Sequence, residues 1–338
     1  MTYDALEKDI NNNDLKPIYL LYGTEQYLVE TLVRKIKKKF AEELIQGINY
    51  IIIDESNIAE FIPNIEVPAF GYDKKLIIVK NSELFKKDGR KKTLTPIQEN
   101  ILNFLNEKYE IIEESVTIVF VEKEIDKNSL YEQIEKKDVV CEINELKPDM
   151  LVNKLGKICS LYKVNIDKNT LNYFVQMCGT NLQNLINEIR KLIEYVGEGG
   201  TITIDDINKL SIKQMESVIF ELTDNLAIRK TDKALEVLDN LIYQKEPLQK
   251  ILITLYNHFK KIYLCVLSVK FNKDIINTLN LKPNQVFLIT KYKKQASYFK
   301  EEELKNILQA FVDLDYDSKN GKLDIDVGLR TILCTYCS

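Results

Sequence analysis

The residues best placed to do chemistry follow the run Pro17-Ile18-Tyr19-Leu20-Leu21-Tyr22-Gly23. An apolar strand that ends in glycine ahead of a helix is where a nucleotide's phosphates are commonly held, because backbone N–H groups and a helix N-terminus converge there on negative charge. Counted from Gly23, the phosphate-loop pattern G-x-x-x-x-G-K-[ST] requires glycine, lysine and a hydroxyl residue at the next three diagnostic places. The chain has Leu28, Val29 and Glu30 there. Leucine blocks close backbone approach, valine removes the phosphate-pairing ammonium, and a carboxylate replaces the magnesium-bound hydroxyl. A nucleotide enzyme also places an acid after a neighbouring strand to hold Mg²⁺, whereas Leu76-Ile77-Ile78-Val79 is followed by Lys80 and Asn81. The expectation is a non-binding turn at Gly23, Leu28, Val29 and Glu30, in a domain whose phosphate loop has degenerated or that never carried one.

Other reactive groupings are weaker. The only histidine is His258, so a Ser–His–Asp or Cys–His centre has no second support. Cys334 and Cys337 are spaced as a C-x-x-C pair, but zinc needs two further ligands. They read instead as helix-packing thiols. The six cysteines are scattered through a chain without a basic, apolar leader, which suits reduced thiols in a cytoplasm. Asp313, Asp315 and Asp317 resemble the start of a calcium loop, but the required glycine and glutamate are Ser318 and Asp324. Solvated acids at a helix end are expected. Lys35, Lys37, Lys38 and Lys39 read as solvated surface following a helix. Lys291, Lys293 and Lys294 read as solvated helix surface too, although Tyr292 between them leaves an option of DNA contact through phosphates or a stacked base.

The elements that must position these residues change character along the chain. Residues 17–23, 49–54, 75–80, 115–121 and 139–142 are apolar, β-branched runs separated by helices, the first helix expected over 25–45. Continuous apolar strands alternating with helices imply a mainly parallel sheet covered on both faces. From Pro148 the pattern is helical. Pro148 starts a helix, Asp167 caps another that stops at Gly179, and Asn181 caps a third whose Leu182, Leu185, Ile186, Ile189, Leu192, Ile193 and Val196 share a face. Thr201–Ile204 is short and β-like, with Asp205 expected to cap a last short helix. Further helices follow, with breaks near Lys230, Glu246-Pro247, Lys282-Pro283 and Asn320-Gly321, and residues 86–93 read as an exposed loop. The expected division is an α/β domain over 1–142, a small helical domain over 143–211 and a larger one over 212–338. With 338 residues, two or three cores are needed. Lys plus Arg is 47 against 51 Asp plus Glu, net −4, so a whole-surface electrostatic grip on nucleic acid is not expected. No stretch of about eighteen uninterrupted apolar residues suggests a membrane span.

Several of these stretches resemble one family. Ile18 through Glu30, with its L-L-Y-G-x-E-x-Y-L core, is similar to the opening motif of the DNA polymerase III delta subunit family, where it occupies a degenerate phosphate loop. Val67-Pro68-Ala69-Phe70-Gly71-Tyr72-Asp73-Lys74-Lys75 and the strand after it resemble the family's P-x-F-G signature. Asn181 through Leu192 resembles its lid helix, and Asp315 with Lys319-Asn320-Gly321 a turn near its C-terminus.

The resemblance implies a nucleotide-free AAA+-like α/β domain, a helical lid and a C-terminal helical collar. It implies no cofactor, no metal and no intrinsic activity, within a clamp loader that belongs to a DNA-directed DNA polymerase holoenzyme. The implied partners are a beta sliding clamp, gamma/tau-type and delta-prime-type loader subunits, and primed DNA within the complex. The clamp-contacting element falls on Val67, Pro68, Ala69 and Phe70. Ala69 stands where the family commonly has a bulky apolar residue, so Ile65 and Val67 are candidates to share the load; a buried Phe70 is the bland alternative. The rival functions are an active AAA+ ATPase of DNA metabolism and a stand-alone DNA-binding protein.

Overall fold

The computed structural model describes residues 1–86, 94–281 and 285–337, the side chain of Cys337 excepted. Most of the expected loop over 86–93 and the break at Lys282-Pro283 lie outside the described residues. The chain forms two compact units, Met1–Glu145 and Leu146–Ser338.

In the first unit the elements run α1 (Tyr3–Asn11), β1 (Ile18–Tyr22), α2 (Gln26–Phe40), β2 (Tyr50–Ile53), a 3₁₀ turn (Glu55–Glu60), α3 (Phe61–Glu66), β3 (Lys75–Lys80), α4 (Pro96–Glu107), α5 (Tyr109–Ser115), β4 (Val116–Glu122), α6 (Ser129–Lys137) and β5 (Val139–Glu142). The described strands form one five-stranded sheet in the order β2-β3-β4-β1-β5, and every pairing is parallel. Parallel strands need helical crossovers, which cover both faces, so β1 and β4 are buried along their whole length. On one face Phe61, Phe85 and Phe120 pack ring to ring, at centroid separations of 5.7 and 5.2 Å. Each strand begins within a residue or two of where the apolar runs begin.

The first helix is shorter than its sequence suggests. It ends at Phe40 rather than 45, and Lys35, Lys37, Lys38 and Lys39 lie on it rather than after it. Lysines in the last turn complement the negative end of the helix dipole. Beyond it, fully buried Asn49 holds the backbone: its Oδ1 accepts from Ile45 N at 2.7 Å and its Nδ2 donates to Glu43 O at 3.0 Å. A side chain that binds those groups competes with helical bonding there.

The second unit is helical: α7 (Pro148–Leu161), α8 (Lys168–Cys178), α9 (Leu182–Val196), α10 (Ile204–Leu210), α11 (Met215–Ala227), α12 (Thr231–Tyr243), α13 (Leu248–Lys270), α14 (Ile275–Leu279), α15 (Leu288–Ala296), α16 (Glu301–Lys319) and α17 (Ile325–Cys337). Asp167 caps α8 by accepting from the amides of Asn169 and Thr170, and Asn181 caps α9. Gly179, with φ +84°, ends α8. The cap of α10 is Thr203, not Asp205. Thr203 Oγ1 accepts from Asp206 N and Asp206 Oδ2 accepts from Thr203 N, a reciprocal box that an acid at 205 could not close. Of the β-like stretch, Thr201 alone bridges, to Asn165.

Candidate functional site

Two turns, at opposite ends of the parallel strands, carry the functional question. The first follows β1, whose C-terminal end lies between β4 and β5, where open parallel sheets hold ligands. Gly23 has φ +131°, and a Cβ placed on it would lie 2.3 Å from Ile143 O. The amides that would have to face a phosphate are directed inward. Gly23 N donates to Glu122 O (3.3 Å), Thr24 N to Asn144 Oδ1 (3.4 Å) and Glu25 N to Ile143 O (3.0 Å). The segment after β5 thus occupies the acceptor positions an anion would take. Leu28 and Val29 are buried with Leu32, Val33 and Ile36 on the core face of α2.

Glu30 forms an ion pair with Lys80 Nζ at 2.7 Å. A carboxylate and an ammonium therefore meet where a nucleotide enzyme sets a hydroxyl and an acid around a metal ion. Both side chains are partly solvated, so the pair contributes well under about 1 kcal/mol, but it inverts the charge pattern of a magnesium site. Glu122, buried at the end of β4, adds negative charge; its Oε1 accepts from Ser82 N (2.9 Å) and Ser82 Oγ (2.6 Å). Burial raises the Glu122 carboxyl pKa, and the two Ser82 hydrogen bonds oppose that rise.

The second turn links α3 to β3. Ile62, Pro63 and Ile65 belong to α3. Pro63 falls in its first turn, where N–H groups have no helical partner to lose. Ile65 is 2% exposed and cannot share a docking load, because it faces the core with Phe61. Val67 ends the helix and is 60% exposed. Ala69 O then accepts from Tyr72 N at 3.1 Å, closing a four-residue turn with Phe70 and Gly71 at its centre. Gly71 has φ +80°, which a turn with a left-handed third position requires. Phe70 stands at the apex and is 91% exposed, so the alternative of a core residue does not hold. Beneath it is a cleft of 330 Å³ lined by Ile48, Pro63, Val67, Pro68, Phe70 and Lys75, among others.

The basic run in the helical unit is arranged differently from its sequence reading. Tyr292 is 3% exposed; its ring packs on Phe220 and His258, at centroid separations of 5.0 and 5.3 Å. No base can stack on it, because α15 turns that residue inward while Lys293 and Lys294 face out. Lys291 is half-buried, with its ammonium 5.4 Å from the Phe220 ring. His258 is a core residue. Its Nε2 lies 2.7 Å from Gln295 Oε1, an acceptor, so Nε2 carries the proton, and burial lowers its pKa to about 4.

Asp313, Asp315 and Asp317 lie on α16, where successive second residues diverge, and Asp315 pairs with Lys319 at 2.7 Å. Cys334 is exposed rather than packed. Among the described residues no group of three or more His, Cys, Asp or Glu is placed to hold a metal ion, and no helix is long and apolar enough to cross a membrane.

Sequence reasoning missed Asn144, Glu122 and Lys75. The first two are remote in sequence from the turn they complete, and Lys75 reads as an ordinary strand end.

Comparison with known proteins agrees with this architecture. Residues 19–144 match the family described as DNA polymerase III, delta subunit, and residues 216–336 match the DNA polymerase III delta subunit, C-terminal domain. The chain is 27% identical over 344 residues to the DNA polymerase III subunit delta of Bacillus subtilis (strain 168), covering 98% of this chain and 96% of that one. It is 28% identical over 316 residues to the probable DNA polymerase III subunit delta of Aquifex aeolicus (strain VF5), covering 89% and 86%. Its fold superposes on the solved Bacillus subtilis DNA clamp loader delta protein with a TM-score of 0.76, at 22% identity and 99% coverage of each chain. With family matches over both units and relatives aligned along nearly its whole length, the chain belongs to the DNA polymerase III delta subunit family.

Proposed function

We propose that this chain binds a beta sliding clamp through Val67, Pro68, Ala69 and Phe70, and helps hold the ring open for loading onto primed DNA, without binding or hydrolysing ATP itself. The observation that carries the reading is Phe70, an aromatic side chain 91% exposed at the apex of a hydrogen-bonded turn. Burying a phenylalanine in a partner's pocket contributes about 1.5–3 kcal/mol, enough for a hot spot but too little to open a ring alone. Val67 and Pro68 extend the apolar surface on the α3 side, which offsets the small side chain of Ala69. The inward-directed amides of residues 23–25 and the Glu30–Lys80 pair support the absence of a nucleotide role.

In this reading residues 1–142 act as the clamp-binding body, 143–211 as a lid and 212–338 as a collar. The collar joins gamma/tau-type and delta-prime-type subunits in the cytoplasm, and those partners supply ATP hydrolysis. The chain then serves a DNA-directed DNA polymerase holoenzyme without catalysing a step. Lys293 and Lys294 remain the surface cations of the basic run that could meet DNA phosphates inside the assembly.

The test is co-purification of the isolated chain with a bacterial clamp, with and without ATP, alongside direct nucleotide titration. Binding that is independent of ATP, with no saturable nucleotide binding, is the expected result. Tight ATP binding would instead favour an active ATPase.

A further inference from the structure

We infer that Lys75 is a positioning residue for the docking turn, an ammonium that clips the end of α3 to the start of β3 and so holds Phe70 outward. The inference rests on the reading of Phe70 as the clamp anchor. Lys75 is the first residue of β3 and is 3% exposed. Its Nζ donates to Asn64 O at 2.9 Å and to Val67 O at 2.6 Å. Both acceptors come from the C-terminal end of α3, where carbonyls have no helical partner and a lysine can serve them. The bond to Val67 spans eight residues and closes a ring of chain that contains the whole element, Val67 to Lys75.

The chemistry of the position argues for a role beyond core stability. Its partners among the described residues are neutral carbonyls, and burial lowers its pKa. A buried ammonium without a carboxylate is a costly way to fill a strand position that an apolar side chain of similar length could occupy. What an apolar side chain could not do is bind two carbonyls at once. The neighbouring wall of the turn is otherwise weakly held: Val67, Pro68, Phe70 and Gly71 are all exposed, and the Ala69–Tyr72 bond is the local closure. The 330 Å³ cleft beside Phe70 leaves space into which a released turn could move.

The chain contains no tryptophan, so Phe70→Trp installs a single reporter at the apex. In that background Lys75→Met, Lys75→Gln and Lys75→Arg are compared by fluorescence anisotropy of the free protein. Clamp affinity is measured for the same three changes in the otherwise unchanged chain. The expected result is a fall in anisotropy for Lys75→Met and Lys75→Gln, with clamp affinity reduced about tenfold as the competent conformation falls to about a tenth of its population. Lys75→Arg, which keeps a cation with several N–H donors, restores both. Should Lys75→Met fail to fold by circular dichroism, Lys75→Gln, with one N–H donor group on a shorter stem, carries the comparison.

Unchanged anisotropy and affinity in the folded variants would overturn the inference. So would lost affinity with unchanged anisotropy, which makes Lys75 a contact, and lowered anisotropy with unchanged affinity, which makes the held turn irrelevant. Phe70→Ala serves as the control for the anchor. If it binds the clamp as the parent does, the docking reading fails, while the anisotropy series still decides whether Lys75 holds the turn.

Discussion

The turns at Gly23 and Gly71 each pass between a helix and a buried strand through a glycine with positive φ, +131° and +80°. They use it for opposite ends. At Gly23 the glycine is required by space, because a Cβ would meet the Ile143 carbonyl, and the turn is closed by residues 122, 143 and 144. At Gly71 a Cβ would meet nothing within 4 Å, so only the backbone angle requires glycine, and the side chain before it is left in solvent. One turn has its amides bonded within its own fold. The other withholds its aromatic from the fold. Similar local sequence logic thus gives a closed joint in one place and an open contact in the other, and the difference lies in what the rest of the chain brings to each.

The largest effect that would test this contrast is Gly23→Ala. It forces both a disallowed angle and a backbone clash, and should destabilise the first unit by about 4 kcal/mol, read by chemical denaturation; an unchanged midpoint would mean the joint is not closed. Phe70→Ala should do the reverse. Stability should stay the same, since the side chain packs on little, while clamp affinity drops by about 2 kcal/mol, roughly thirtyfold, in a direct binding assay.

Gly71→Ala should sit between the two. The left-handed angle costs an alanine about 1 kcal/mol, which should appear as about a fivefold loss of clamp affinity with little change in melting. An equal loss of stability and binding would show that the open turn is structural after all.

The smallest effect concerns Glu122. Its folded pKa is raised by burial, so the unfolded chain gives up the proton first as pH rises, and stability falls across the window from the unfolded to the folded pKa. Glu122→Gln should remove that fall and leave the protein slightly more stable above the window, measured as denaturation midpoints against pH.

Much of this organisation was legible in the residues. The five apolar runs became the five described strands, because continuous β-branched segments between helices have few stable arrangements other than a covered parallel sheet. Pro148, Asp167, Gly179 and Asn181 marked helix ends by local capping chemistry, and that chemistry held. The early end of α2 was not legible, because Asn49, which takes the backbone groups of residues 43 and 45, is read in the sequence as the start of the second strand run. The inward turn of Tyr292 was missed for a related reason: a tyrosine between lysines has a solvated face and a buried face, and only packing against Phe220 and His258 selects one.

The sequence by itself determined that phosphate-binding residue types are absent at Leu28, Val29 and Glu30 and that a proline-aromatic-glycine element is present, since residue type and spacing are read directly. Only the tertiary structure decided that the amides beside Gly23 are already spent on residues 122, 143 and 144, that Glu30 meets Lys80, and that Phe70 faces solvent. The first two depend on groups distant along the chain that a parallel sheet brings to the C-terminal ends of its strands, and the third on what the fold leaves uncovered at the other end; neither leaves a local periodic signal.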